Sequence, residues 1–317
     1  MKILVTGATG FVGSFLVPEL QKKGHTVYAL GNTKLPTYPG ASGFKGNLVE
    51  KNFLDSLDIQ PDIVIHLAAL MLSQPHQKED LFKLAKVGTE NLVRFCEKNK
   101  VQKIIFTSST VALGAGSSPD DLIDEESKCK IPNWDDFANV KAKQIAENII
   151  VQSKLNWSIV YSGLIYGPRD WEKTIRKANK PILNGRMPFY FPGGVNINSI
   201  ENFVQGISLV LEKAPPQSRY ILAGENITNK DFFSLLAISN GKKPPRFLFP
   251  KGILLFLGKL NSVFNTNSPL NSESIEMLLA YHWCSSTKAQ KELGYLPGNA
   301  EVAINSSTQW IIANNGL

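Results

Sequence analysis

Apolar and polar positions follow two rhythms along this chain. Short β-branched or apolar runs at 2–6, 26–30, 62–68, 103–107 and 157–161 have the length and composition of buried strands. Between them, helical periodicity runs through Leu16 and Leu20, over about 78–99, and over 137–153. Alternation of this kind predicts an α/β fold, a doubly wound parallel sheet with helices on both faces. After Gly167-Pro168 the pattern loosens. Pro192-Gly193-Gly194 and Pro215-Pro216 separate short helical segments, and only 219–222 reads as a strand. The expected organisation is a sheet domain over 1–168 and a smaller, mainly helical C-terminal lobe over 169–317, partly interleaved with the sheet. A chain of 317 residues suits one large domain with such a lobe.

Charge changes this picture little. The net charge of +7 comes from lysines spread along the chain, among them Lys22, Lys51, Lys98, Lys141, Lys143 and Lys242. No basic run is interleaved with aromatic residues, so a small-molecule substrate is expected rather than nucleic acid. No apolar run reaches the roughly 20 residues of a spanning helix, and the N-terminus does not resemble a signal peptide. Cys96, Cys129 and Cys284 are odd in number and lack metal-ligand spacing, which suggests a reducing, cytoplasmic setting and no metal site. A homodimer is compatible with all of this. The apolar stretch 252–258 reads as a helix packed inside the lobe, with docking on a membrane as the alternative.

The sharpest signal is Thr6-Gly7-Ala8-Thr9-Gly10-Phe11-Val12-Gly13, which leaves the first strand and opens the first helix. In a Rossmann-type loop Gly7 would make the tight turn, Gly10 would let the backbone approach a pyrophosphate, and Gly13 would let helix and sheet pack closely. The helix N-terminus would then face the phosphates. A site for NAD usually has a carboxylate about 20 residues further on. Between Leu20 and Val49 there is neither Asp nor Glu, and Gly31-Asn32-Thr33-Lys34 follows the second strand. Lys34 suits a 2′-phosphate, so NADP(H) is favoured; the alternative is that Asn32 bonds the ribose and NAD(H) also fits.

With these residues placed, the chain resembles the extended short-chain dehydrogenase/reductase family. Within it, the resemblance is greatest to the dihydroflavonol-4-reductase-like and hopanoid-associated sugar epimerase group. The matching motifs lie at 6–13, 66–69, 87–93, 106–114, 166–170, 185–188, 219–228 and 285–295. The resemblance implies further cofactor contacts at Asn47, Leu48, Leu67, Ala68, Ala69, Ser108, Lys141 and Gly163. It also implies a catalytic Ser109, which would polarise a substrate carbonyl, and a catalytic Lys141, which would bond the nicotinamide ribose.

The family's tyrosine, four residues before the lysine, falls on Phe137, which has no ionisable proton. The family's relay asparagine falls on Ala85, and Ser199-Ile200-Glu201-Asn202 replaces another family segment. Tyr161 is the candidate replacement donor; Tyr166 and His66 read as structural. Thr110 stands where dehydratases carry an acid. The expected function is therefore an NAD(P)-dependent reductase or epimerase with an atypical active site, an oxidoreductase or isomerase. The alternative is a catalytically impaired cofactor-binding protein acting as sensor or assembly subunit.

Overall fold

The computed structural model describes residues 1–70, 77–127, 129–170, 179–264 and 272–314. Twelve strands are described: β1 (Lys2–Thr6), β2 (Thr26–Gly31), β3 (Ser42–Lys45), β4 (Ile63–His66), β5 (Lys103–Ser109), β6 (Trp157–Ser162), β7 (Leu164–Tyr166), β8 (Phe189–Tyr190), β9 (Gly194–Ser199), β10 (Ser218–Leu222), β11 (Glu225–Thr228) and β12 (Phe247–Leu248). The described helices are α1 (Phe11–Lys22), α2 (Lys78–Lys83), α3 (Thr89–Lys98), α4 (Ala138–Gln152), α5 (Ile200–Lys213), α6 (Asn229–Ser239), α7 (Lys251–Phe264), α8 (Ser272–Leu279), α9 (Thr287–Leu293) and α10 (Ala300–Ala313).

Seven strands form one sheet in the order β10-β6-β5-β4-β1-β2-β3, paired in parallel throughout. Central strands of such a sheet are covered on both faces, which is why Ile3, Leu4 and Val5 can all be fully buried. Leu16, Val17 and Leu20 of α1 pack with Phe203, Val204 and Ile207 of α5 on one face. Leu92, Phe95 and Cys96 of α3 and Ala146 and Ile150 of α4 cover the other. Strand order reverses between β1 and β4. The loops leaving their carboxyl ends therefore diverge, which opens the crevice where ligands bind in such sheets.

Tertiary structure alters several expectations. The helix expected over 78–99 is divided by a π-helical turn at Leu84–Gly88. That over 137–153 begins at Ala138, with Phe137 as its extended N-cap. The last strand of the large sheet, β10, lies beyond residue 168. Around the lobe's helices, β11-β9-β7 and β12-β8 make two small sheets. Hydrophobic patterning hides β9, whose GVNINS sequence buries Asn196 and Asn198. The Asn198 amide donates to the Leu222 carbonyl at 3.0 Å and to the Tyr295 hydroxyl at 2.7 Å, so its burial leaves no polar group unsatisfied there. No described helix is long and apolar enough to cross a membrane.

Candidate functional site

The glycine loop sits at the carboxyl end of β1. Gly7 has φ +70, and a Cβ there would lie 2.8 Å from the Ala68 backbone nitrogen. At Gly13 a Cβ would meet Ala8 and Gly7 backbone atoms at 2.6 Å, so α1 lies directly on the loop. Gly10 differs. It is exposed, and a Cβ there would meet only the Gly7 carbonyl oxygen, at 3.2 Å. Gly10 caps α1 without a side-chain hydrogen bond, and the first turn holds no acidic residue. The first helical N–H groups have no carbonyl four residues earlier in the helix to bond, and no side chain occupies their place. This end of α1 therefore fits a phosphate by geometry and by dipole.

Other expected cofactor positions follow the carboxyl ends of β2, β3, β4 and β6. The Tyr38 hydroxyl donates to the Ala8 carbonyl at 2.6 Å and braces it. Thr9, Asn32 and Lys34 are exposed, and Phe11 and Val12 are half-buried. Leu67, Ala68 and Ala69 follow β4 beside Gly7, with the Ala68 N–H donating to the Thr6 hydroxyl at 3.3 Å. Asn47 accepts from the Val49 N–H at 3.0 Å, and Leu48 is buried. Gly163 packs on β9, where a Cβ would lie 2.6 Å from Asn196 Oδ1. One residue missed by sequence reasoning is Arg169, an exposed cation whose guanidinium lies 4.0 Å over the Phe15 ring of α1.

Beneath the loop lies His66, 2% exposed and 5.3 Å from the Phe106 ring. Its Nδ1 pairs with the Thr6 hydroxyl at 2.7 Å. Burial, with the nearby Lys143 charge, pushes its pKa down to about 3. The unfolded chain then takes up a proton below pH 6.5 that the folded protein refuses, so stability falls as pH drops from about 6.5 towards 3. His66→Phe should flatten this acid limb, removing a slope approaching about 1.4 kcal/mol per pH unit. Urea unfolding between pH 4 and 7 checks this; parallel wild-type and variant curves would place the acid sensitivity elsewhere.

The remaining expected site residues lie at the carboxyl ends of β5 and β6 and along α4. Phe137 is buried against Trp134, ring centroids 5.1 Å apart, in a cluster with Ala115, Val140 and Ala280. Lys141 is exposed on the outer face of α4. The two do not share a face towards the crevice, because Phe137 has left the helical conformation at the cap. Lys143 instead reaches the sheet. Its ammonium donates to the Thr107 carbonyl at 2.9 Å and lies 5.2 Å from the Phe106 ring centre. Burial pushes its pKa down to about 8, against the opposing pull of Glu147.

Glu147, one turn further along α4, is buried and accepts from the Ser108 and Tyr161 hydroxyls. Burial raises its pKa, although these bonds and the Arg219 and Lys143 charges oppose the shift. A buried carboxyl is tolerable only when its lone pairs are used, and this network uses them while locking α4 to β5 and β6. Two further expected site residues take part in this network. The Ser108 hydroxyl donates to Glu147. Tyr161 is fully buried, its hydroxyl donates to Glu147 at 3.0 Å, and burial together with the Glu147 charge raises its pKa. Tyr166 is buried and accepts from Asn179 at 2.7 Å. Ser109 stays half-buried at the strand end, its hydroxyl 3.4 Å from the Ser162 carbonyl. Ala85, in the π-helical turn, packs with Ala138 and Ala142.

The signal for Lys143 was present in the helix period. Ala138, Ala142, Ala146 and Ile150 form the buried stripe of α4. Lys143 and Glu147 flank that stripe, while Lys141 and Asn148 lie on the exposed side.

Comparison with known proteins follows the same lines. The profile of the NAD dependent epimerase/dehydratase family matches residues 3–222. The chain is 26% identical over 329 residues to sterol demethylase protein B of Methylococcus capsulatus, covering 98% of each chain. It is 26% identical over 326 residues to a 3-beta-hydroxysteroid dehydrogenase of Mycolicibacterium neoaurum, covering 93% of this chain and 87% of that one. Relatives of the dihydroflavonol 4-reductase type also match. The crystal structure of gox2253 superposes with a TM-score of 0.85 at 28% identity, covering 99% of both chains.

Proposed function

Because the chain belongs to the NAD-dependent epimerase/dehydratase family, we propose that it is an NAD(P)-dependent reductase or epimerase acting on a carbonyl or hydroxyl of a small or sugar-like substrate. The observation that carries this reading is the open N-terminus of α1 at Gly10, on the same carboxyl edge of the sheet as Ser109 and Lys143. Residues 7–13, with Leu67–Ala69 beside them, would hold the dinucleotide, and Arg169 stands at the same end of α1. When bound, the nicotinamide supplies hydride exchange with the substrate. Ser109 donates its hydroxyl to the substrate oxygen and polarises it.

In this reading the family's lysine is Lys143 and its tyrosine position is Asn139, four residues earlier on α4. Lys143 bonds the nicotinamide ribose. Its pKa of about 8 lets it hold or release a proton near neutral pH. Asn139 can orient a substrate oxygen through its amide, but it has no ionisable proton. The missing phenol is thus common to both registers, which favours the second reading as well, a cofactor-binding protein with little turnover.

Cofactor choice follows from the end of β2. A Cβ at Gly31 would lie 2.3 Å from the Lys34 carbonyl oxygen and 2.8 Å from Thr9 Cγ2, so this position has no room for a carboxylate. We assign the 2′-phosphate to exposed Lys34. Fluorescence titration should show NADPH binding about tenfold more tightly than NADH, with the order reversed in Lys34→Glu. A wild type that prefers NADH would overturn the assignment to NADP(H), and one that binds neither would overturn the functional reading.

A further inference from the structure

An apolar, basic face lies on the lobe, away from the glycine loop. The strand pair β8 and β12 is parallel, with Phe247 beside Phe189 and Leu248 beside Tyr190. Phe247 is 61% exposed and Leu248 54%, and the Phe189 and Phe247 rings lie 6.1 Å apart. Through Phe249 and Pro250 the chain passes directly into α7. Between Lys251 and Lys259 this helix carries an unbroken apolar run, Ile253 to Leu257, longer than one buried stripe requires. Its inner side is covered: Gly258 is buried, and a Cβ there would lie 2.8 Å from Ile275 of α8. Its outer side is open, with Ile253 50% and Phe256 64% exposed. The helix expected to pack inside the lobe is therefore only half packed.

Along this segment the charge is of one sign, with Glu273 and Glu276 of α8 the nearest carboxylates on the packed side. From residue 232 to residue 272 the chain has no Asp or Glu, but it carries Lys242, Lys243, Arg246, Lys251 and Lys259. All five are exposed. Arg186 joins them, because the turn before β8 lies against this segment. The Arg246 N–H donates to the Pro188 carbonyl at 2.9 Å, and a Cβ at Gly185 would lie 3.2 Å from Lys242 Cβ.

We propose that this face docks on the surface of an anionic lipid bilayer. Phe247, Leu248, Ile253 and Phe256 would enter the headgroup boundary, while the surrounding cations meet lipid phosphates. The cationic rim decides the occupant. A second copy seated through the same face would oppose six cations to six, whereas an anionic bilayer neutralises them. The same helix adjoins the candidate site: α7 packs on α8, and Glu273 of α8 accepts from the Ala138 N–H at the start of α4 at 3.1 Å.

The test is co-sedimentation of the full-length protein with vesicles of phosphatidylglycerol and phosphatidylethanolamine, against vesicles of phosphatidylcholine alone. The wild type should bind the anionic vesicles, and raised salt should weaken binding. Phe256→Ser with Phe247→Ser, and separately Lys242→Glu with Lys243→Glu, should each reduce binding about tenfold or more. These side chains are exposed, so circular dichroism and NADPH titration should be unchanged in both variants. Absence of wild-type binding to anionic vesicles would overturn the proposal, as would equal binding to phosphatidylcholine. Lipid-free dimerisation that Phe256→Ser abolishes would assign the face to a second copy instead.

Discussion

Gly10→Val is expected to leave the protein folded while weakening NADPH binding by about 100-fold or more, a loss of roughly 3 kcal/mol. The expectation rests on a difference among the three glycines. Gly7 and Gly13 are confined by neighbouring backbone atoms at 2.6–2.9 Å, so a side chain at either disrupts the junction of β1, α1 and β4. Gly10 has ordinary cap geometry, φ −79 and ψ 177, which any residue adopts. Its added Cβ points at exposed space beyond the Gly7 carbonyl, the space a pyrophosphate would take. Circular dichroism and urea unfolding should therefore separate Gly10→Val, folded and unable to bind, from Gly13→Val, destabilised. Retained affinity in Gly10→Val would move the phosphates away from this loop.

The second large effect concerns the missing phenol. If Lys143 is the relay lysine, Asn139→Tyr places a phenol one helical turn before it, next to a cation that lowers the phenol's pKa. Restored general acid–base catalysis should raise NADPH-dependent turnover on a panel of carbonyl and sugar-nucleotide substrates by about 10²–10⁴-fold. Phe137→Tyr should do little, because position 137 is buried beside Trp134 and precedes the helix. The opposite pattern, a gain at 137 and none at 139, would restore Lys141 as the relay lysine. Turnover by neither variant, with cofactor binding intact, would favour the sensor or assembly role.

Much of this was legible in the chain because it depends on local pattern. Buried parallel strands must be apolar throughout, and a phosphate loop must place glycines at set intervals, so β1, β4, β5, β6 and residues 7–13 could be read directly. The β3 edge and the small sheets were not legible. β3 has the sequence SGFK, and β9 alternates apolar residues with asparagines whose partners come from residues 222, 224, 226 and 295. Tyr161 looked like a spare donor because its acceptor, Glu147, lies on another element.

The lysine shows where local pattern ends. A helix turns about 100° per residue, so Lys141 and Lys143 project about 200° apart. Which of them meets the sheet depends on which side of α4 is packed. That side is set by Ala138 and Ala142 against Leu81 and Ala85, and by Ala146 and Ile150 against the sheet core. The sequence by itself determined the sheet architecture, the dinucleotide loop and the absence of a phenol four residues before either lysine. Only tertiary packing decided that Lys143 rather than Lys141 reaches the sheet, that the Ser108 and Tyr161 hydroxyls bond Glu147, and that one side of α7 remains open to solvent. Those outcomes depend on contacts between elements far apart in the chain.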